Sequence, residues 1–177
     1  MVGGLDAVKD GAARARLDRY LACLRHWSQK INLTGAQTDG EAVETLIRPI
    51  LGAEGLLGKS VIDVGSGNGS PGLVLAALRP DLQFTLLEPR AKRWAFLRDA
   101  AREMRIENVT VRRERSDAYH GPPAATVTMR AVGLNPEDLR GLAQSGGCVL
   151  VFGGPDLVGA EKLRLPSGAT VQRRCFT

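Results

Sequence analysis

Apolar residues in the first part of the chain recur every three or four positions, as they do along one face of a helix. Charged residues such as Asp18 and Arg19 separate them, and the apolar positions are Leu17, Leu21, Leu24, Trp27 and Ile31. This spacing predicts an amphipathic helix. The segment Thr38-Asp39-Gly40-Glu41 has capping-box spacing and predicts a second helix, which Pro49 is expected to bend or end.

From Ser60 onwards the pattern changes to short apolar runs that alternate with helical segments. Strands are predicted at 60–64, 83–88, 108–113, 125–130 and 147–152, and helices at about 71–79, 91–105 and 136–143. Strands that alternate with helices predict an α/β fold, with a mostly parallel sheet and helices on both faces. The tail predicts an antiparallel hairpin built from residues 163–165, a Pro166-Ser167-Gly168 turn and residues 169–176.

The length of 177 residues, with 44% hydrophobic and 24% charged residues, is typical of one globular domain with a substantial core. We predict a single domain over residues 1–177, in which 1–55 form an N-terminal helical extension and 56–177 form the core. The apolar stripes of the extension need a partner, so we expect them to pack against the sheet.

The location of the protein is predicted from the apolar runs. No run approaches the roughly 18 apolar residues of a membrane span, and the N-terminus lacks the apolar core of a signal peptide. We therefore expect a cytoplasmic protein without a membrane partner. The cysteines Cys23, Cys148 and Cys175 form no CxxC pair, and only two histidines accompany them. Reduced thiols and no metal site are expected.

The segment DVGSGNGSPG, Asp63 to Gly72, follows the first predicted strand of the sheet, where open α/β sheets bind ligands. Its glycines allow a tight turn that a ligand can approach, and Ser70 is expected to cap the next helix. Gly67-x-Gly69-x-x-Gly72 also matches the dinucleotide fingerprint. Glu88 ends the second strand, where a ribose-binding acid is expected. A nicotinamide dinucleotide is therefore one candidate ligand.

Asp63 favours a different ligand. A carboxylate at the mouth of the turn would repel the pyrophosphate of a dinucleotide but attract the sulfonium and ammonium groups of S-adenosylmethionine. Asp63-x-Gly65-x-Gly67-x-Gly69 resembles the first motif of class I methyltransferases. Glu88 would bind the ribose hydroxyls of either ligand and does not discriminate between them. The residues of the turn that we predict to bind the cofactor are Asp63, Gly65, Ser66, Gly67, Gly69 and Ser70.

The positive charge is concentrated in one segment. The net charge is +5 and the pI is near 9.5, and residues 90–115 hold nine basic against four acidic residues. Arginine clusters favour polyanions, although a charged helix face is often only solvated. On the outer face of the predicted helix, Arg98, Arg102 and Arg105 are candidates for contacts with RNA phosphates.

Several segments together resemble one family. They are YLACLRHWSQKINLTG from Tyr20, DVGSGNGSPG from Asp63, the segment from Arg79 to Val111, RERSD from Arg113 and MRAVG from Met129. The chain resembles the bacterial small-subunit ribosomal RNA methyltransferase G family, also called glucose-inhibited division protein B. The resemblance implies a Rossmann-like class I fold that transfers the methyl group of S-adenosylmethionine to N7 of a guanine in small-subunit RNA. It also implies cofactor contacts at Gly65, Ser70, Ser116, Asp117 and Arg130.

The chemistry of these residues leaves alternatives open. Ser116 and Asp117 follow the third strand and could hold an adenine, or they could form a solvated loop. Arg130 could bind the methionine carboxylate or an RNA phosphate, or it could form a structural salt bridge with Asp63 or Glu88. Guanine N7 has a lone pair and no proton to lose, so no catalytic residue is predicted.

The chain also departs from the family pattern. Pro49 stands where the family usually has a histidine, Gly52-Ala53 replaces an Asp-Ser pair, and the C-terminal part is shorter. The expected partner is ribosomal RNA or the small ribosomal subunit. Two alternatives stay open: a divergent member that methylates another substrate or binds the cofactor without transfer, and a nicotinamide dinucleotide enzyme.

Overall fold

The computed structural model describes residues 4–177, so Met1–Gly3 of the predicted domain lie outside the described residues. A seven-stranded sheet has the order β3-β2-β1-β4-β5-β7-β6. The strands are β1 (Ser60–Val64), β2 (Gln83–Leu87), β3 (Val109–Arg112), β4 (Ala124–Arg130), β5 (Ala143–Phe152), β6 (Glu161–Arg164) and β7 (Thr170–Cys175). The first five strands are parallel, and β7 runs antiparallel between β5 and β6. The predicted α/β class and the closing hairpin are confirmed.

The helices are α1 (Gly11–Ser28), α2 (Asp39–Ala42), α3 (Gly72–Leu78) and α4 (Ala91–Met104). Apolar side chains of α1, α3 and α4 form one buried cluster with β1 and β2, which includes Leu17, Tyr20, Leu73, Phe84 and Phe96. The apolar stripe predicted for the first helix is therefore buried against the sheet unit. Across residues 4–177, no helix is both long enough and apolar enough to cross a membrane.

The other face of the sheet differs from the prediction. The segment predicted as a helix over 136–143 is a 3-10 segment, Pro136–Leu142, which begins with a capping box from Asn135. Strand β5 begins at Ala143, four residues earlier than predicted and directly after this segment. Leu139 and Leu142 of this segment cover the second apolar cluster, which includes Ile62, Val127 and Val149.

The second helix begins as predicted and then changes geometry. Thr38 Oγ1 accepts the N–H of Glu41 at 3.2 Å and caps α2. The chain continues as a wider π turn, Val43–Ile47, and ends as a 3-10 turn, Arg48–Ile50. Pro49 lies in this 3-10 turn and has no N–H for an α-helical ladder, and the helical segment ends one residue later, at Ile50, which is one of the two predicted outcomes.

The prediction of three reduced cysteines was wrong for two of them. Cys148 and Cys175 face each other in the antiparallel pairing of β5 with β7 and form a disulfide bond. Their separation of 27 residues carries no sign of this contact, because the contact depends on the strand register. Cys23 is free and buried, and burial raises the pKa of its thiol to about 12.

Candidate functional site

The glycine-rich turn lies between β1 and α3, at the carboxyl edge of the sheet. The Gly65 N–H donates to the Leu87 carbonyl at 2.9 Å and so ties the turn to the end of β2. Gly65, Gly67 and Gly69 have φ angles of +65°, +47° and +89°, which residues with side chains rarely adopt. The buried Ser66 donates its hydroxyl to the Asp63 carbonyl at 3.0 Å. The turn therefore requires the glycines that the motif supplies.

Glu88 fixes the turn from the neighbouring strand. It is only 3% exposed, and its two oxygens accept the N–H groups of Gly67 at 3.0 Å and Arg90 at 2.8 Å. The carboxylate thus connects the glycine turn with the start of α4. Each oxygen retains a further lone pair. The role of Glu88 toward a ribose stays a prediction.

Asp63 lies beneath the turn, and not at its mouth as expected. Its side chain is fully buried, and Thr128 donates its hydroxyl to Oδ1 at 2.6 Å. The other oxygen, Oδ2, has no hydrogen-bond partner among the described residues. Burial raises the pKa of the Asp63 carboxyl to about 6, since it disfavours the ionised form. Asp63 can influence a bound cation through its field, but it presents no exposed oxygen to a ligand.

Ser70 does not cap α3, so that prediction was wrong. The cap position of α3 is Pro71, and no side chain bonds to the first N–H groups of this helix. The buried Ser70 hydroxyl instead donates to the Leu46 carbonyl at 2.6 Å and accepts from Arg130 Nη1 at 2.8 Å. The Leu46 carbonyl belongs to the irregular turn after α2, and the Ser70 hydroxyl reaches it across the site.

Arg130 ends β4 and lies half-buried beside this serine. Its Nη2 donates to the Thr45 carbonyl at 2.5 Å. Within residues 4–177, no carboxylate lies within 4 Å of its guanidinium nitrogens, so the alternative of a salt bridge with Asp63 or Glu88 is excluded. Burial lowers the pKa of the Arg130 guanidinium, because the charge is partly removed from water. An uncompensated cation at this position suits a carboxylate or phosphate ligand.

A cavity of about 180 Å³ opens beside the turn and contains Gly65 and Ser116 in its lining. Leu87, Val132 and Leu134 give it apolar walls. A Cβ atom on Gly65 would lie 2.8 Å from Val132 Cγ2, so only glycine leaves this space open. Apolar walls with a few polar groups at the edge suit a flat heteroaromatic ring such as adenine. The residues present therefore fit the nucleoside part of the cofactor that the resemblance implies.

Asp117 is separate from this cavity. Its exposed carboxylate accepts hydrogen bonds from Arg115 Nε, at 3.0 and 3.2 Å, and from Nη2, at 3.1 Å, and these bonds lower the pKa of the carboxyl. The structure thus brings Ser116 to the cavity lining with Gly65, but directs the Asp117 carboxylate to a neighbouring arginine. The role of Asp117 in adenine binding stays a prediction.

The three arginines predicted to bind RNA lie along α4 with different surroundings. Arg98 stacks over the Trp94 ring at 4.8 Å, and Arg102 pairs with Asp99 at 2.6 Å and with Glu103 at 3.1 Å. Arg105 follows the last residue of α4 and borders a groove with Gln83 and Asn108, at the amino edge of the sheet. The glycine turn is at the opposite, carboxyl edge.

Sequence reasoning missed several residues that support the site. The buried Tyr20 hydroxyl donates to the Asn68 carbonyl at 2.8 Å, and Asn68 Nδ2 donates to the Leu33 carbonyl at 3.2 Å. Arg93 Nη1 lies 3.6 Å from the position of a Cβ on Gly67. A tyrosine on a buried stripe needs a hydrogen-bond partner, and this need is the one signal that could have indicated the contact.

A second, larger cavity lies away from the glycine turn. This cavity of about 550 Å³ lies between the N-terminal turn at Ala7 and the hairpin turn at Pro166, and none of the predicted site residues lines it. In the described part of the chain, no three His, Cys, Asp or Glu side chains are grouped so that they could hold a metal ion.

Comparisons with known proteins identify the family of the chain. Residues 13–152 match the family described as rRNA small subunit methyltransferase G. The Ribosomal RNA small subunit methyltransferase G of Halorhodospira halophila is 38% identical over 166 residues, which cover 89% of this chain and 77% of that protein. The protein of that name from Xanthomonas euvesicatoria pv. vesicatoria is 35% identical over 170 residues, which cover 92% of this chain and 78% of that protein.

The fold is also found among solved structures. A SAM-dependent methyltransferase from Aquifex aeolicus has a TM-score of 0.57 and 15% sequence identity, and the match covers 77% of this chain and 93% of that one. At this identity the likeness supports the Rossmann-like class I fold alone. The family match covers most of the chain. The chain therefore belongs to the rRNA small subunit methyltransferase G family and is an S-adenosylmethionine-dependent methyltransferase.

Proposed function

We propose that this protein binds S-adenosylmethionine at the glycine turn and methylates N7 of a guanine in small-subunit ribosomal RNA. The main support for the proposal is that three features lie together at the carboxyl edge of the sheet. These are the glycine turn, the apolar cavity beside Ser116 and the Arg130 cation without an acidic partner. The ribosomal substrate is supported by the names of the curated relatives.

The roles we propose for the residues follow from their surroundings. The cavity formed by Leu87, Val132 and Ser116 would hold the adenine ring, and Arg130 would bind the methionine carboxylate through two N–H groups. Glu88 would accept from the ribose with its remaining lone pairs, and the buried Asp63 would favour the positive charge of the cofactor through its field. When bound, the cofactor supplies an electrophilic methyl group.

The proposed chemistry demands little from side chains. Guanine N7 is a nucleophile with a free lone pair, so no general base has to remove a proton. The protein's contribution is to hold the two reactants in line and to keep water out of the site. The fixed dipoles around the turn also replace water as the charge moves to the base. We therefore propose no catalytic residue.

The proposed RNA partner fits the charge of the chain, which is +5 overall. Arg98, Arg102 and Arg105 remain candidates for phosphate contacts. Arg93, in the first turn of α4, lies beside the glycine turn, with Nη1 3.6 Å from the position of a Cβ on Gly67, and would meet RNA that enters the site.

We also propose that the protein acts in the cytoplasm. Disulfide bonds are uncommon in that compartment. The Cys148–Cys175 disulfide of the structure is therefore expected to be reduced to two thiols by the cytoplasmic thiol pool in cells. Rapid alkylation of a cell lysate followed by mass spectrometry measures this directly, and a stable disulfide in freshly lysed cells would contradict a cytoplasmic location.

The test of the proposed function is methyl transfer to defined RNA substrates. Small ribosomal subunits that lack N7-methylguanosine, and the same RNA without protein, would each be incubated with the purified chain and labelled S-adenosylmethionine. We expect close to one N7-methylguanosine per RNA molecule, measured by nucleoside mass spectrometry. Binding of S-adenosylhomocysteine without any transfer would favour the divergent family member, and binding of NAD alone would favour the dinucleotide enzyme.

A further inference from the structure

We infer that Ser70 is a positioning residue that holds Arg130 ready for an anionic group of the cofactor. This inference rests on the cofactor-binding part of the proposed function. The Ser70 hydroxyl lies between two partners, since it donates to the Leu46 carbonyl and accepts from Arg130 Nη1. A buried hydroxyl that makes both bonds has a fixed orientation, so the guanidinium group meets an acceptor in a fixed place.

The second acceptor of Arg130 depends on Pro49. In an α-helix, residue 49 would donate its N–H to the carbonyl four residues earlier, which belongs to Thr45. The chain here is a π turn followed by a 3-10 turn, and Pro49 has no N–H, so the Thr45 carbonyl lacks an α-helical donor. Arg130 Nη2 donates to it instead at 2.5 Å. The end of the second helix and the serine of the glycine turn thus hold one guanidinium group between them.

Both acceptors are neutral, and this determines what Arg130 can do. A carboxylate partner would neutralise the guanidinium charge and compete with an anionic ligand. A hydroxyl group and a carbonyl group orient the cation but leave its charge uncompensated. Arg130 is therefore held in position before the ligand arrives, and binding requires less ordering of its long side chain.

A double-mutant cycle between Ser70 and Arg130 tests this role. The affinity for S-adenosylhomocysteine would be measured by calorimetry for Ser70→Ala, Arg130→Ala and the double variant. We expect Ser70→Ala to raise Kd about fivefold, the factor that one hydrogen bond of ordinary strength supports. In the Arg130→Ala background, the serine change should have no further effect, because its action passes through the arginine. Ser60→Ala removes a hydroxyl that accepts from the Ala125 N–H at the other edge of the sheet, and it should bind normally.

A second variant separates positioning from stability. Pro49→Ala restores an N–H that can donate to the Thr45 carbonyl and removes a residue that ends the helix. We expect a higher unfolding midpoint together with a Kd about threefold higher for S-adenosylhomocysteine, because Arg130 loses an acceptor. A purely structural role would move stability and affinity in the same direction.

Three results would overturn the inference: wild-type affinity in Ser70→Ala, an undiminished serine effect in the Arg130→Ala background, or stabilisation by Pro49→Ala without loss of affinity. Failure of the proposed function would give different results. If the wild-type chain did not bind S-adenosylhomocysteine, the cofactor site would be wrong. If it bound the compound but left RNA unmodified, only the RNA substrate would be wrong.

Discussion

Arg130 and the arginines of α4 carry the same charge in two different settings. Arg102, on the exposed face of α4, pairs with Asp99 and Glu103, and Arg98 stacks over a tryptophan of its own helix. Arg130 is half-buried, and within residues 4–177 its hydrogen bonds go to the neutral oxygens of Ser70 and Thr45. Arg130 is thus held in place by neutral groups, and an anionic ligand can still pair with its charge.

This difference shows why a count of charges is a poor guide to an anion site. Exposed ion pairs contribute little stability, and their charges are already compensated locally. A half-buried cation has lost part of its hydration. Without a carboxylate partner, its charge is compensated when an anionic ligand binds. The pairing of each arginine therefore says more about its function than the density of arginines along the sequence.

The largest effect is expected from Arg130→Ala. Removal of a charge-assisted, two-pronged contact to the cofactor carboxylate costs about 2 to 3 kcal/mol, which raises Kd for S-adenosylhomocysteine roughly 30- to 150-fold. Arg130→Lys keeps the charge and should recover only part of this loss, since an ammonium group cannot form the paired contact. Calorimetric titration measures both. Arg164→Ala, on the exposed edge strand β6, is the matched control, and equal affinities for Arg130→Ala and this control would contradict the account.

A smaller effect, about three- to tenfold, is expected from Asp63→Asn on S-adenosylmethionine. The pKa of Asp63 is about 6, so the carboxylate becomes fully ionised only above that pH. The wild-type affinity for the positively charged S-adenosylmethionine should rise between pH 5 and about pH 7.5, whereas the affinity for S-adenosylhomocysteine should change much less. In Asp63→Asn, the affinities for the two compounds should depend on pH in the same way. If the S-adenosylmethionine affinities of the wild type and Asp63→Asn changed in parallel with pH, the field effect would be contradicted.

Protein stability should show the opposite dependence on pH. The folded-state pKa of Asp63 lies above the unfolded value of about 3.9, so its contribution is fully present below pH 3.9 and is lost as the pH rises through about 6. The free energy of unfolding of the wild type should therefore decrease by about 1 to 3 kcal/mol across this range relative to Asp63→Asn. Urea unfolding at several pH values measures the difference.

Tyr20→Phe is expected to weaken the binding of S-adenosylhomocysteine about fivefold. The hydroxyl of Tyr20 is the donor to the Asn68 carbonyl, and its loss leaves that part of the glycine turn less constrained. Tyr119→Phe is the matched control, because the Tyr119 hydroxyl bonds to Pro122 outside the turn. If both variants kept the wild-type affinity, Tyr20 would be a core residue only.

The smallest effect is expected from the double variant Arg98→Ala/Arg102→Ala. Because both side chains already have partners within α4, we expect RNA affinity to fall only about twofold and the slope of log K against log salt to change by less than about one. Filter binding at four salt concentrations measures the slope. A fall of nearly two in this slope, with a tenfold loss of affinity, would show that the cluster binds phosphates as its charge pattern suggested.

The sequence predicted the features that depend on local pattern. The strands from Ser60 to Phe152 follow from their apolar runs, and the turn follows from glycines that adopt positive φ angles. The hairpin after Leu163 was also predicted from its turn residues. Each of these elements is determined by residues close together along the chain.

The remaining features depend on contacts between distant residues. The Cys148–Cys175 bond requires the register of β5 and β7, and the contact of Ser70 with Arg130 requires the glycine turn to meet the end of β4. The acceptors of Arg130 and Tyr20 include backbone carbonyls, which exist at every position and leave no signal in a sequence. The burial of Asp63 could not be predicted either, since the same motif fits a carboxylate at the mouth of the turn.

The most direct test of the central claim is a crystal structure of the protein with S-adenosylhomocysteine. We expect the adenine ring in the cavity between Leu87 and Val132, and the carboxylate paired with the Arg130 guanidinium while Ser70 keeps its bond to the arginine. A carboxylate bound elsewhere, with Arg130 still bonded only to Ser70 and Thr45, would contradict it.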